Sequence, residues 1–397
     1  MADLKFSNTF PVTQKRLLVI IPDRLSVLIK KGEITNRYYN PGNLFDEVHI
    51  LMINSDRPEI LELQKTVGKA SLFIHNLPFT VKDFLSTLGM RPRLLARWAT
   101  PATALAQQIQ PDLIRCHGDG LNIFLAYQIK SQLNIPYLVS LHINADEDHR
   151  PSLKQSIFGY LYEKKRIEAL KGADRVLPVY QSIIPYLEKR GVKNYEVAYN
   201  VLNPRNIIAK EDYNLHTPVK LISVGRHFEL KNPKNIITAM KEFPEAVFTL
   251  VGHGPFQQRL ENLAERLNIA EQVKFIHSIA NDQLCKILPS FDIFVIHSQH
   301  WELSKAVLEA LLTGLPVIIN RRDGEPIPEL QGAPVLLVNN SVEGYTNGIR
   351  KLIEDDSVRS QLGKKAKAYA SKHWTPSKTE ARYVAIYKEI LYKVRKP

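Results

Sequence analysis

Two patterns of apolar positions alternate along this chain. Short unbroken apolar runs, bounded by prolines, glycines and charges, read as buried parallel strands. Longer stretches between them carry apolar residues at helical spacing. The first run covers residues 17–21 and stops at Pro22. Others follow at 48–53, 71–74, 111–118, 135–142 and 174–179, with a short one at 195–199. Residues 80–109 read as helical. Residues 200–218 are polar, hold two prolines and show no period, so they read as a linker. The alternation then restarts, with strands at 220–224, 246–251, 273–276, 291–297, 315–319 and 335–338, and helices through the C-terminus. Two such halves predict an α/β chain of two Rossmann-like domains facing a central cleft.

The stretch 297–320 is the richest in candidate chemistry. Ser304 is placed to cap a helix over 305–313, Gly314 ends it, and a buried strand runs over 315–319. Strand, loop, helix start and strand make one βαβ unit, and ligands bind beyond the carboxyl ends of such strands. The free N–H groups of the helix start suit an anion, phosphate above all. Glu309 lies inside an apolar helical run, where a carboxylate is costly without a partner. A sugar hydroxyl is one such partner; a solvent-facing position is the other reading.

Cations and glycines add to this edge. Arg226 and Lys231 stand in the loop that begins at Gly225, after the first strand of the second half. Gly252 and Gly254 flank a turn into a helix, and Ser304 and Lys305 begin another. Two cations and two helix starts on one edge suit a pyrophosphate. No acidic pair is placed to hold Mg²⁺, so no metal is expected. In the first half, the loop after the first strand holds Gly32 near its start, without a G-x-G-x-x-G dinucleotide fingerprint. His117 and His142 close two parallel strands on the same ligand-binding edge, which points to a functional role.

Composition narrows the class. The chain has 397 residues, 44% hydrophobic and 23% charged, as in a soluble globular protein. No apolar run reaches the ~18 residues a membrane helix needs. The first sixteen residues lack the apolar centre of a signal peptide. Cys116 and Cys285, the two cysteines, fall in different halves, which fits a reducing cytoplasm. Net charge is +13 and evenly spread, without the basic module of a DNA-binding protein. It suits anionic small ligands or an acidic membrane surface. Lys82, Arg91, Arg93, Arg97 and Trp98 sit among apolar residues, a composition shared by interfacial helices and ordinary basic surface helices.

Residues 220–320 resemble the C-terminal domain of the retaining glycosyltransferases of family 4 (glycosyl transferases group 1), which have the GT-B fold. The resemblance rests on Val224-Gly225-Arg226 with Lys231, on residues 250–255, and on residues 291–295. It extends to Leu308-Glu309-Ala310 with residues 314–317. Residues 174–177 and Asn200 resemble the end of the family's N-terminal domain. Trp374 and a helix over 378–391 resemble its final helix, which packs back on the first domain. The implied domains are 1–200 for the acceptor, 201–375 for the nucleotide sugar, and 376–397 for the returning helix.

The resemblance implies a sugar transferred with retention from a UDP- or GDP-linked donor, without metal or cofactor. The acceptor would be a glycan, a lipid-linked molecule or a small molecule, the setting cell-surface glycan or glycolipid synthesis. The place would be the cytoplasm, including the inner membrane face. Arg226 and Lys231 would bind the diphosphate and Glu309 the ribose, and His142 would reach the donor sugar. Gly32, Gly225, Gly252, Gly254, Ser304 and Lys305 join the donor contacts. One position departs from the family. Its first glutamate, eight positions before Glu309, falls on Trp301, and Glu302 stands one residue late; a shifted loop would give Glu302 the sugar-binding role. His253 also replaces a common acidic residue. A GT-B sugar-nucleotide epimerase and a non-catalytic nucleotide-sugar binder are the competing readings.

Overall fold

A computed structural model of the protein describes residues 14–144, 157–203, 205–299 and 302–395. Among them, twelve strands form two six-stranded parallel sheets. The first sheet holds β1 (Arg16–Ile21), β2 (Glu47–Met52), β3 (Ser71–Asn76), β4 (Leu113–His117), β5 (Tyr137–Leu141) and β6 (Arg175–Pro178). Its order is β3-β2-β1-β4-β5-β6. The second holds β7 (Val219–Val224), β8 (Ala246–Val251), β9 (Val273–Ile276), β10 (Ile293–Ile296), β11 (Val317–Asn320) and β12 (Leu336–Val338). Its order is β12-β11-β10-β7-β8-β9. Helices cover both faces, which is why the central strands read as unbroken apolar runs. Leu17, Leu18, Val19 and Ile20 are all fully buried, alternate residues feeding the cores on opposite faces of the first sheet.

The helix Pro376–Arg395 lies on the first sheet. Tyr383, Ile386, Tyr387 and Ile390 complete the core that holds Leu17 and Val19. Its charges pair with the first domain: Glu380 with Arg37 at 2.7 Å, and Arg382 with Glu196 at 2.9 Å. Tyr383 and Tyr387 also flank the buried Arg115 guanidinium, at 4.8 and 6.0 Å.

Two expected elements differ. The helical segment 80–109 is three helices, Val81–Ser86, Pro92–Trp98 and Thr100–Ile109, with breaks that the helical reading did not mark. Leu88, Gly89 and Met90 take positive φ values of 47°, 72° and 69°, which no helix continues, and Pro92 opens the next. The strand expected at 195–199 reduces to a single bridge, Val176 to Tyr195. Two residues on, β6 presents Pro178, which has no N–H with which to extend the ladder.

Candidate active site

In each sheet the strand order reverses once, between β1 and β4 and between β7 and β10. Crevices beyond the carboxyl ends at such points are the usual ligand sites. In the second domain, the loops leaving β7 and β10 flank this point. Lys231 comes from the first and Glu302 from the second, and the ammonium pairs closely with Glu302 Oε1. Both side chains are mostly covered, at 17% and 20% exposure. The first domain supplies the opposing surface. Tyr180, just past β6, brings its hydroxyl to 3.3 Å from Glu302 Oε2, and the same hydroxyl lies against the His142 carbonyl. With one proton to donate, it serves either acceptor. Lys231, Glu302, Tyr180 and His142 therefore form one cluster across both domains.

His142 follows β5 and is half-buried. Its ring stacks on His117, at the end of β4, with centroids 5.9 Å apart and planes at 15°. Burial, reinforced by the Arg115 charge, pushes its pKa down to about 4. Burial and Arg115 also hold His117 well below the ordinary histidine value. Both rings are therefore neutral at pH 7, and His142 presents an uncharged hydrogen-bonding group.

Arg226 extends into solvent, with its guanidinium 5.7 Å from the Phe228 ring centre, and makes no ion pair among the described residues. The glycines beside it serve loop packing. Gly252 has φ +134°, and a Cβ there would collide with the Gly225 carbonyl; a Cβ at Gly254 would strike the His227 carbonyl. The loops after β7 and β8 thus lie backbone to backbone, tied by the His227 N–H to the His253 carbonyl at 3.1 Å. At the next helix start, the Ser304 hydroxyl accepts from Val307 N at 3.3 Å, so it caps Lys305–Thr313.

Glu309 faces inward from that helix at 2% exposure. Desolvation raises its pKa, opposed by Lys305 and by Asn281, whose Nδ2 donates to Oε1 at 2.9 Å. Asn281 also reaches the first domain, donating its backbone N–H to the Lys31 carbonyl at 3.0 Å. There Gly32, at φ +63°, lets the domains approach: a Cβ would lie 2.9 Å from Asn281 N. Gly32 and Glu309, far apart in sequence, thus meet through Asn281.

Sequence reasoning brought Lys231, Glu302, His142 and Glu309 to the cleft edge but missed Tyr180 and Asn281. Neither belongs to a motif, and both matter through partners in the other domain. Trp301, the residue out of step with the family pattern, lies outside the described residues. Among the described residues, no group of three or more His, Cys, Asp or Glu is placed to hold a metal ion. No helix among them is long and apolar enough to cross a membrane.

Comparison with known proteins places the chain in a family. Residues 46–206 match the family model Glycosyltransferase Family 4, and residues 206–369 match Glycosyl transferases group 1. The chain belongs to this family of glycosyltransferases. It is 28% identical over 358 residues to the sulfoquinovosyl transferase SQD2 of Arabidopsis thaliana, covering 85% of this chain and 66% of that protein. The chain thus spans just under two thirds of that relative's length. Among solved structures, sucrose-phosphate synthase from Thermosynechococcus elongatus superposes with a TM-score of 0.71 at 16% identity. That match covers 96% of this chain and 100% of the other. Anabaena HepE in complex with UDP and glucose gives 0.71 at 16%, over 94% and 99% of the two chains. The fold is GT-B.

Proposed function

We propose that the protein transfers a sugar from a nucleotide sugar to an acceptor with retention of configuration, without a metal ion. The observation that carries this reading is the cross-domain cluster, which joins a cation and a carboxylate of one domain to His142 and Tyr180 of the other. In the proposed reaction, Lys231 and Arg226 meet the charge that develops on the departing diphosphate. Glu302 turns to the sugar hydroxyls once the diphosphate engages Lys231. The sugar–oxygen bond to the diphosphate breaks as the acceptor oxygen bonds to the same carbon on the same face. The acceptor's proton passes to the departing phosphate oxygen, so no separate base is needed. Closure of the two domains keeps water from intercepting the sugar.

A UDP-linked donor is favoured by the likeness to HepE, which binds UDP and glucose. The acceptor belongs to cell-surface glycan or glycolipid synthesis. Contact with an anionic membrane fits the first domain's surface: Val81, Leu85 and Leu88 are 78%, 66% and 52% exposed, beside exposed Lys82, Arg91, Arg93 and Arg97. Incubation with a panel of labelled UDP- and GDP-sugars tests the reading. Sugar transfer, or slow hydrolysis without acceptor, supports it; isomerisation marks an epimerase, and binding alone a non-catalytic protein.

A further inference from the structure

Directly after Tyr180, the chain makes a second bond to the other domain. The Gln181 backbone N–H donates to Glu329 Oε1 at 2.5 Å. Glu329 is 3% exposed, and its second oxygen has no hydrogen-bond partner among the described residues. Each end of this bond is fixed in a different core. Tyr180 and Ile183 are buried in the first domain, on either side of Gln181. Ile327 and Leu330 are buried in the second, on either side of Glu329. The Gln181 side chain adds a 3.3 Å bond from Nε2 to the Tyr199 hydroxyl, whose ring meets Trp374 edge-on.

A carboxylate is a poor choice here for stability alone. Burying it with one satisfied oxygen costs free energy that an apolar residue of similar size would not. What a carboxylate supplies is direction: one strong, short bond to a backbone N–H that fixes where the chain lies. Gln181 and Tyr180 are adjacent, so fixing one fixes the other. We propose that Glu329 is a positioning residue, whose bond to Gln181 across the domain boundary sets the Tyr180 hydroxyl against Glu302. The proposal rests on the function given above for the way it is read kinetically, but its geometric content is independent of it.

Three variants test it. Glu329→Ala removes the acceptor. Gln181→Pro removes the donor and leaves Glu329 in place; proline is tolerated at the first position of a helical turn, which Gln181 occupies. Glu329→Gln keeps an acceptor oxygen. The Ala and Pro variants are expected to lower kcat by roughly 10²-fold, the scale of a small misplacement of reacting groups. Their affinity for free UDP should stay at the wild-type value, because Lys231 and the glycine loops belong to the second domain. Glu329→Gln is expected to recover most of the lost rate. Small-angle scattering should show a wider cleft in the Ala and Pro variants than in the wild type or the Gln variant. If Glu329→Ala does not fold, Gln181→Pro decides alone. If the wild type transfers no sugar, the proposed function fails while scattering still decides this proposal. Wild-type kcat and scattering in the Ala and Pro variants would overturn it, as would a Gln variant as impaired as Ala.

Discussion

Tyr180 and Glu302 lie 122 residues apart, in different domains, yet the tyrosine hydroxyl stands 3.3 Å from the glutamate carboxylate. Lys231 holds the other oxygen of that carboxylate. Glu302 is thus shared between a cation of its own domain and a hydroxyl of the other. On the proposed function, a diphosphate arriving at Lys231 would meet a carboxylate already in place, and the two negative groups would compete for one ammonium.

That competition separates binding from turnover. Glu302→Gln removes the competing charge and leaves Lys231 to the diphosphate. Isothermal titration is expected to show UDP bound at least as tightly as by wild type, while transfer falls by roughly 10²-fold or more. Weaker UDP binding would mean that Glu302 orients Lys231 rather than competing with it.

Lys231→Ala and Arg226→Ala should each lower kcat/KM by roughly 10²-fold, the usual loss when a charge contact to the transition state is removed. Lys231 differs from Arg226 in one respect: its removal takes the close cation from a Glu302 carboxylate only 20% exposed, so Lys231→Ala should also melt lower. Wild-type kinetics in both variants would remove the diphosphate assignment.

The fold was legible in the chain because buried parallel strands announce themselves as apolar runs. The misreadings have local causes. Residues 88–90 carry positive φ in a segment whose composition is helical, and Pro178 ends a ladder that 195–199 would otherwise extend. The site was legible only where one residue carries its own signal. Lys231 and Glu309 belong to motifs, and His142 ends a strand. Tyr180, Asn281 and Glu329 carry no such signal, since each acts through a partner more than 25 residues away, as Asn281 does with Glu309. Gly252 and Gly254 were legible as glycines flanking a turn into a helix, but the collision between two loops that excludes a Cβ there appears only in three dimensions.

His142 should matter to turnover more than to folding. His142→Ala is expected to lose transfer while keeping UDP affinity and melting temperature at pH 7.5. Its depressed pKa, about 4 against 6.5, fixes the sign of the pH effect. The unfolded chain binds the proton first, so wild-type stability is lost as pH falls from 6.5 toward 4. His142→Asn should flatten that part of the stability curve. A variant that melts far below wild type at pH 7.5 with activity intact would make His142 a core residue.

Glu309 has the opposite sign. Its carboxyl is raised above 4.5 by desolvation, so the folded state holds the proton longer and stability falls as pH rises through that range. Glu309→Gln retains an acceptor for Asn281 without the charge. It should melt above wild type at pH 7.5, with the difference shrinking toward pH 4.5, and bind UDP more weakly. Equal melting curves at both pH values would mean that the carboxylate carries no burial penalty.

The basic surface at 82–97 should bind vesicles containing anionic lipid and release them as salt is raised. Replacing Arg91, Arg93 and Arg97 with Gln should weaken co-sedimentation without changing transfer to a soluble acceptor. Binding that is equal on neutral and anionic vesicles would remove the membrane contact.

The central claim is tested most directly by a crystal structure of the protein with an unreacted UDP-sugar analogue. The account expects the diphosphate on Lys231 and Arg226, and Glu302 turned to a sugar hydroxyl at about 2.6–3.2 Å, with His142 beside the sugar. A sugar held by backbone N–H groups alone, with Glu302 still paired to Lys231, would contradict it.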